Sequence, residues 1–144
     1  MIKLLTIGLI FLSVAHAETR RSTLLEHYLS AIDIPMTAFE LRDCGATLDA
    51  LASIANEDTH RLYVRVRAVA AIGIMSEPNA LDTLRHILDT QVDEGIRVEA
   101  VYAIAALSPG INVWQLDSIY ASSTNISTGA VLRAITRVTE RLRP

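Results

Sequence analysis

The chain has 144 residues, with 13 basic and 16 acidic side chains, a formal net charge of −3 and a hydrophobic fraction of 51%. Mild acidity gives no electrostatic ground for nucleic-acid binding, and a single cysteine, Cys44, excludes an internal disulfide framework. Composition this rich in Ala, Leu, Ile and Val suits closely packed helices around one core.

In chain order, residues 1–17 come first and read as a signal peptide. Met1-Ile2-Lys3 gives a short positive start, Leu4 to Val14 is an apolar run, and Ala15-His16-Ala17 supplies the small-x-small cleavage pattern. The run is shorter than the roughly 20 apolar residues of a membrane span. The expectation is export to a bacterial periplasm or beyond, with no membrane insertion after cleavage. Lys3 is the only lysine, so the remaining 127 residues carry 12 Arg against 16 acids, a net charge of −4.

Residues 18–45 read as an N-terminal helical cap, with a degenerate fourth repeat as the alternative. Thr23-Leu24-Leu25-Glu26 has the form of a capping box opening a helix to about Ala31. Ile32-Asp33-Ile34-Pro35 interrupts it, and Thr37 to Asp43 forms a second short helix before Gly45. Cys44, at this boundary, is either a small apolar filler or a free thiol that pairs with another chain.

From residue 46 the chain repeats itself. Leu48-Asp49-Ala50-Leu51 returns as Leu81-Asp82-Thr83-Leu84 and Leu116-Asp117-Ser118-Ile119, at spacings of 33 and 35 residues. Val64-Arg65-Val66-Arg67-Ala68-Val69 returns 32 residues later as Ile96-Arg97-Val98-Glu99-Ala100-Val101. Gly95-Ile96-Arg97-Val98-Glu99-Ala100-Val101 in turn lines up with Gly129-Ala130-Val131-Leu132-Arg133-Ala134-Ile135, 34 residues on. A period of this length predicts stacked supersecondary units.

Each unit reads as two helices, A and B. Helix A carries the stripes Leu48, Leu51, Ile54, Ala55, then Leu81, Leu84, Ile87, Leu88, then Leu116, Ile119, Tyr120. Helix B carries Val66, Val69, Ile72, then Val98, Val101, Ile104, then Leu132, Ile135, Val138. Ala68, Ala100 and Ala134 recur beside these stripes and let helix backbones approach closely. Asn56 to His60, Ser76 to Asn79, Thr90 to Gly95, Ser108-Pro109-Gly110 and Ser122 to Gly129 supply the turns. The expected units are residues 46–76, 79–108 and 112–142 of a repeat domain covering 46–144. The fold class is all-α, an α-solenoid of about three helical hairpins behind an N-terminal cap.

Tyr63-Val64-Arg65-Val66-Arg67-Ala68-Val69-Ala70-Ala71-Ile72-Gly73 and Gly95 to Ile104 resemble the second-helix phrase of the HEAT-like repeat family, in its short bacterial, phycobilisome-lyase-like form. The resemblance covers about Ala46 to Leu142. It implies helix pairs stacked into a right-handed superhelix, with the B helices lining a concave surface that holds partners. It also implies that Arg65 and Arg97 tie adjacent units together through an Asp. The third unit departs, with Val131 at that register and Trp114 and Tyr120 in helix A, as a terminal unit would. Tetratricopeptide repeats share the length but need a Trp/Gly/Tyr pattern that is absent.

The candidate partner-binding residues lie on the B-helix ridge: Arg67, Glu99 and Arg133 in one register, with Tyr102 and Arg137 nearby. Arg and Tyr are frequent interface anchors, although a solvated helix face explains the same charges. Arg133, Arg137 and Arg141 recur every fourth residue, and Arg near a helix C-terminus also complements the helix dipole. Trp114 reads as packing beneath the third pair. Asn125-Ile126-Ser127 matches a glycosylation sequon.

Chemistry is sparse. His27, His60 and His86 have no His or Cys partner at ligand spacing, and Glu57, Asp58 and His60 read as a solvated turn, so no metal site is expected. There is no Gly-x-Ser-x-Gly elbow, phosphate loop or dinucleotide fingerprint, and neither catalytic residues nor a cofactor are expected. The leading expectation is an exported, non-enzymatic scaffold that binds a protein or peptide. The alternatives are a lyase-like or cofactor-handling protein, suggested by the resemblance, and a self-assembling structural module.

Overall fold

In the computed structural model, described for residues 23–107, 113–123 and 129–142, the chain is all-helical. The expected signal segment, the Ser108-Pro109-Gly110 breaker and the Asn125 sequon lie outside the described residues. The helices are α1 (residues 23–30), α2 (Ala38–Asp43), α3 (Leu48–Asn56), α4 (Leu62–Met75), α5 (Ala80–Thr90), α6 (Glu94–Ala106), α7 (Val113–Ser122) and α8 (Gly129–Leu142). No strand occurs among the described residues.

Local chemistry sets the boundaries. Thr37 and Thr47 cap α2 and α3, their hydroxyl oxygens accepting from the amides of Glu40 and Ala50, both at 3.2 Å. Asp93 caps α6, its Oδ1 accepting from Gly95 N at 2.8 Å and Ile96 N at 3.4 Å. Helix α2 ends in a Schellman motif: Gly45 at φ 80° donates to Arg42 O, and Ala46 donates to Leu41 O, both at 2.9 Å. Position 45 therefore needs a residue that accepts the left-handed region. Residue 23 is already helical, so the expected cap Thr23 lies inside α1.

The hairpin α3–α4 packs on α5–α6 through α4 against α6, and α6 packs on α8, which also carries α7. The longer helices α4, α6 and α8 thus form one layer, with α3, α5 and α7 behind. Helix α4 also touches α2. The A stripes enter the core as expected: Leu51, Ala55, Leu84, Ile87, Leu88 and Leu116 are fully buried. In the B layer, Val69, Ile72, Val101 and Ile104 are buried, and Val66 and Val98 pack partly buried against them.

Two details differ from expectation. Leu132, in register with Val66 and Val98, is 50% exposed, and Trp114 is 68% exposed rather than packed beneath the last pair. Both residues belong to the α7–α8 pair, and no described helix covers them there.

Helices α4 and α6 approach closely at Gly73. A methyl group added at Gly73 would lie 3.0 Å from the Cα, Cβ and carbonyl oxygen of Ala103. Ala68, Ala100 and Ala134 are buried as well, so small residues set the spacing of this layer.

Candidate functional site

The α3–α4 and α5–α6 loops tie the first two helix pairs together at one edge. Arg65, only 8% exposed, is tied three ways. Its Nη1 lies 2.7 Å from Asp58 Oδ1, its Nε donates to Ala55 O at 3.0 Å, and its Nη2 donates to Gln91 Oε1 at 3.0 Å. Gln91 Nε2 donates in turn to Asn56 Oδ1. The aspartate thus belongs to the same hairpin as Arg65, and the link to the neighbouring hairpin is made by Gln91. Further along, the Ser123 hydroxyl donates to Asp89 in the same manner. Arg97 is 5% exposed, and Val131 fills its register in the last pair, fully buried.

His60 belongs to the same edge. Its Nδ1 lies 3.2 Å from Glu26 Oε1 and its Nε2 3.5 Å from Glu57 Oε2, joining α1 to the α3–α4 loop. Asp58 points instead to Arg65. The acidic turn is consumed by structural ties, and no cluster of three or more His, Cys, Asp or Glu among the described residues is placed to hold a metal. Cys44 is half-buried and free, and burial, with Asp43 and Glu40 nearby, pushes its thiol up and away from the reactive thiolate.

The B helices carry the five candidate residues, in differing states. Arg67 Nη2 donates to Ile34 O at 3.0 Å while its Nε is buried without a partner, so this side chain anchors the loop after α1. Glu99 is half-buried with no ion-pair or hydrogen-bond partner among the described residues. Burial alone raises its carboxyl above the ordinary value of 4.5. Arg133 and Arg137 are exposed on α8. The shared register of Arg67, Glu99 and Arg133 produces no ion pair among them.

Tyr102 borders a concavity on this face. It lines a cleft of about 330 Å³ between α6 and α8, with Ala105, Ala106, Val138, Arg141 and Leu142. Its lining is mostly apolar, with Tyr102 and Arg141 as the polar residues. Arg141 was legible as the third member of the every-fourth-residue stripe. The small residues Ala105 and Ala106 carried no sequence signal beyond their helix, because a cleft depends on how two helices diverge.

A second groove, about 370 Å³, opens between α7 and α8 and is lined by Asp117, Tyr120, Ala121, Ser123, Leu132 and Ile135. The Tyr120 hydroxyl donates to Val101 O at 3.0 Å, and burial, with Asp117, pushes its pKa above the usual range. No described helix is long and apolar enough to cross a membrane.

Compared with protein-family models, curated proteins and solved structures, the chain shows no match.

Proposed function

We propose that this chain is an exported, non-enzymatic α-solenoid of HEAT-like helix pairs that binds a protein or peptide through its B-helix face. The stacking of α4, α6 and α8 into one layer, with the loops clamped along the other edge, supports the solenoid part of this reading. The Tyr102–Arg141 cleft carries the binding part. It offers an apolar seat beside a guanidinium, flanked on the same ridge by Arg133, Arg137 and the unpartnered carboxylate of Glu99. An interface built this way buries an aromatic or aliphatic anchor and reads charge at its rim. Shallow, extended relief favours a macromolecular partner over a small molecule.

The experiment is affinity capture from the native envelope extract with crosslinking, comparing wild type with a Tyr102→Ser, Arg137→Glu double variant. Arg67 is left intact because it anchors the N-terminal loop. Loss of the captured protein at unchanged melting temperature supports the reading; an identical capture profile contradicts it.

A further inference from the structure

The cleft between α6 and α8 carries its charge at one end. Tyr102, Ala105 and Ala106 line it from α6, and Val138, Arg141 and Leu142 from α8. Arg137 lies one turn before Arg141 on the same face of α8. Both arginines are exposed, and neither has an ion-pair or hydrogen-bond partner among the described residues. Arg133 continues the stripe but turns back along its helix, where its Nη1 would lie 3.2 Å from a Cβ added at Gly129. Arg137 and Arg141 are therefore the guanidiniums open to an occupant of the cleft.

The surrounding charges leave this end positive. Glu99 and Glu140 are the acids of α6 and α8 nearest to it in sequence, and neither lines the cleft. Glu99 stands a rise of about 10 Å along the helix axis before Ala106. Each helix C-terminus brings roughly half a negative charge, so the two ends offset about half of what Arg137 and Arg141 supply. A segment seated against Tyr102 is favoured by carrying negative charge.

Size and spacing restrict that segment further. A cleft of about 330 Å³ between two helices admits a side chain, not a helix about 10–12 Å across. Arg137 and Arg141 are separated by a rise of about 6 Å. Alternate residues of an extended chain point the same way and recur at about 6.6 Å. Two carboxylates at alternate positions can thus each take one guanidinium in bidentate fashion. A single terminal carboxylate would leave the second guanidinium without a partner.

We propose that the occupant is an extended acidic segment of a partner protein. One aliphatic or aromatic side chain seats against Tyr102, and two side-chain carboxylates at alternate positions pair with Arg137 and Arg141. The apolar seat supplies affinity, while the guanidinium pair selects charge and speeds association. The inference rests on the peptide-binding reading above and names the chemistry of what that face holds.

Fluorescence anisotropy of the protein with labelled, C-terminally amidated octapeptides tests it. Each peptide carries one Leu and two Glu at alternate positions, with the Leu before the Glu pair in one series and after it in the other. At least one series is expected to bind, with affinity falling as salt rises. Replacing both Glu by Gln is expected to weaken binding about tenfold. Arg137→Gln and Arg141→Gln are each expected to weaken it about fivefold, with unchanged helical circular dichroism. Arg61→Gln, which removes the same charge from an exposed side chain just before α4, should leave affinity unchanged. Equal binding of the Gln peptides, no binding in either series, or unchanged affinity in both cleft variants overturns the proposal. So does a Gln peptide with a free terminal carboxylate that binds as tightly as the amidated Glu peptide. Any of these results, with the captured protein still lost in the Tyr102→Ser, Arg137→Glu variant, sinks the acidic-segment inference alone. Acidic-peptide binding that depends on Arg141, alongside an identical capture profile, sinks the captured-partner reading instead.

Discussion

At the scale of single residues, the two edges of the molecule use charge in opposite ways. Arg65 has its charge matched by Asp58 and its remaining donors satisfied by Ala55 O and Gln91, so its burial is compensated. Arg65→Ala would leave a buried carbonyl and a buried amide short of partners, at a cost of about 2–3 kcal/mol. Urea unfolding measures this as a lowered midpoint, and an unchanged midpoint would show that the ties are incidental. Glu99 has no such compensation. Its raised carboxyl pKa means that the folded chain holds that proton more tightly than the unfolded chain does. Stability from this group is full below the unfolded value and is lost as pH climbs through the folded one. Glu99→Gln removes that loss, so the variant should melt higher than wild type near neutral pH, with the gap narrowing below pH 4.5. A gap that stays constant across this range would contradict the assignment. A carboxylate kept at some cost to stability fits a residue retained for binding.

At the scale of elements, helix spacing in the B layer depends on Gly73. Its Cα faces Ala103 at a distance that leaves no room for a side chain, so Gly73→Val should force α4 and α6 apart and cost about 1–3 kcal/mol. Gly129→Ala is the control. An added Cβ there meets only the end of the flexible Arg133 side chain at 3.2 Å, and its effect should stay within about 0.5 kcal/mol. Thermal melts of the two variants check this, and equal losses would mean that the tight crossing is not what matters. Much of the element layout was legible in the sequence. The A stripes and the breakers at Asn56–His60 and Ser76–Asn79 sit where the helices pack and end, because periodicity and turn chemistry are local. The Arg65–Gln91 link was not legible, since it joins residues 26 apart that meet only once the pairs have stacked. Leu132 and Trp114 escaped for a related reason: a repeat pattern assigns a residue to the core without showing which neighbour packs over it.

At the scale of the whole molecule, the layer order gives two unlike edges and two unlike ends. One edge is locked by the loop ties of Arg65, Gln91, His60 and Ser123. The other presents Glu99, Tyr102, Arg133 and Arg137 around an apolar cleft. Rigidity behind and relief in front is an arrangement that lowers the ordering cost of binding. The proposed docking of a protein partner on the B-helix face is open to site-specific photocrosslinking in the producing cells. A benzophenone side chain placed at position 102, beside the cleft, should yield a discrete crosslinked protein partner. The same group at position 82, exposed on α5 at the back, should yield none. A partner captured equally from both positions, or only from position 82, would contradict the account.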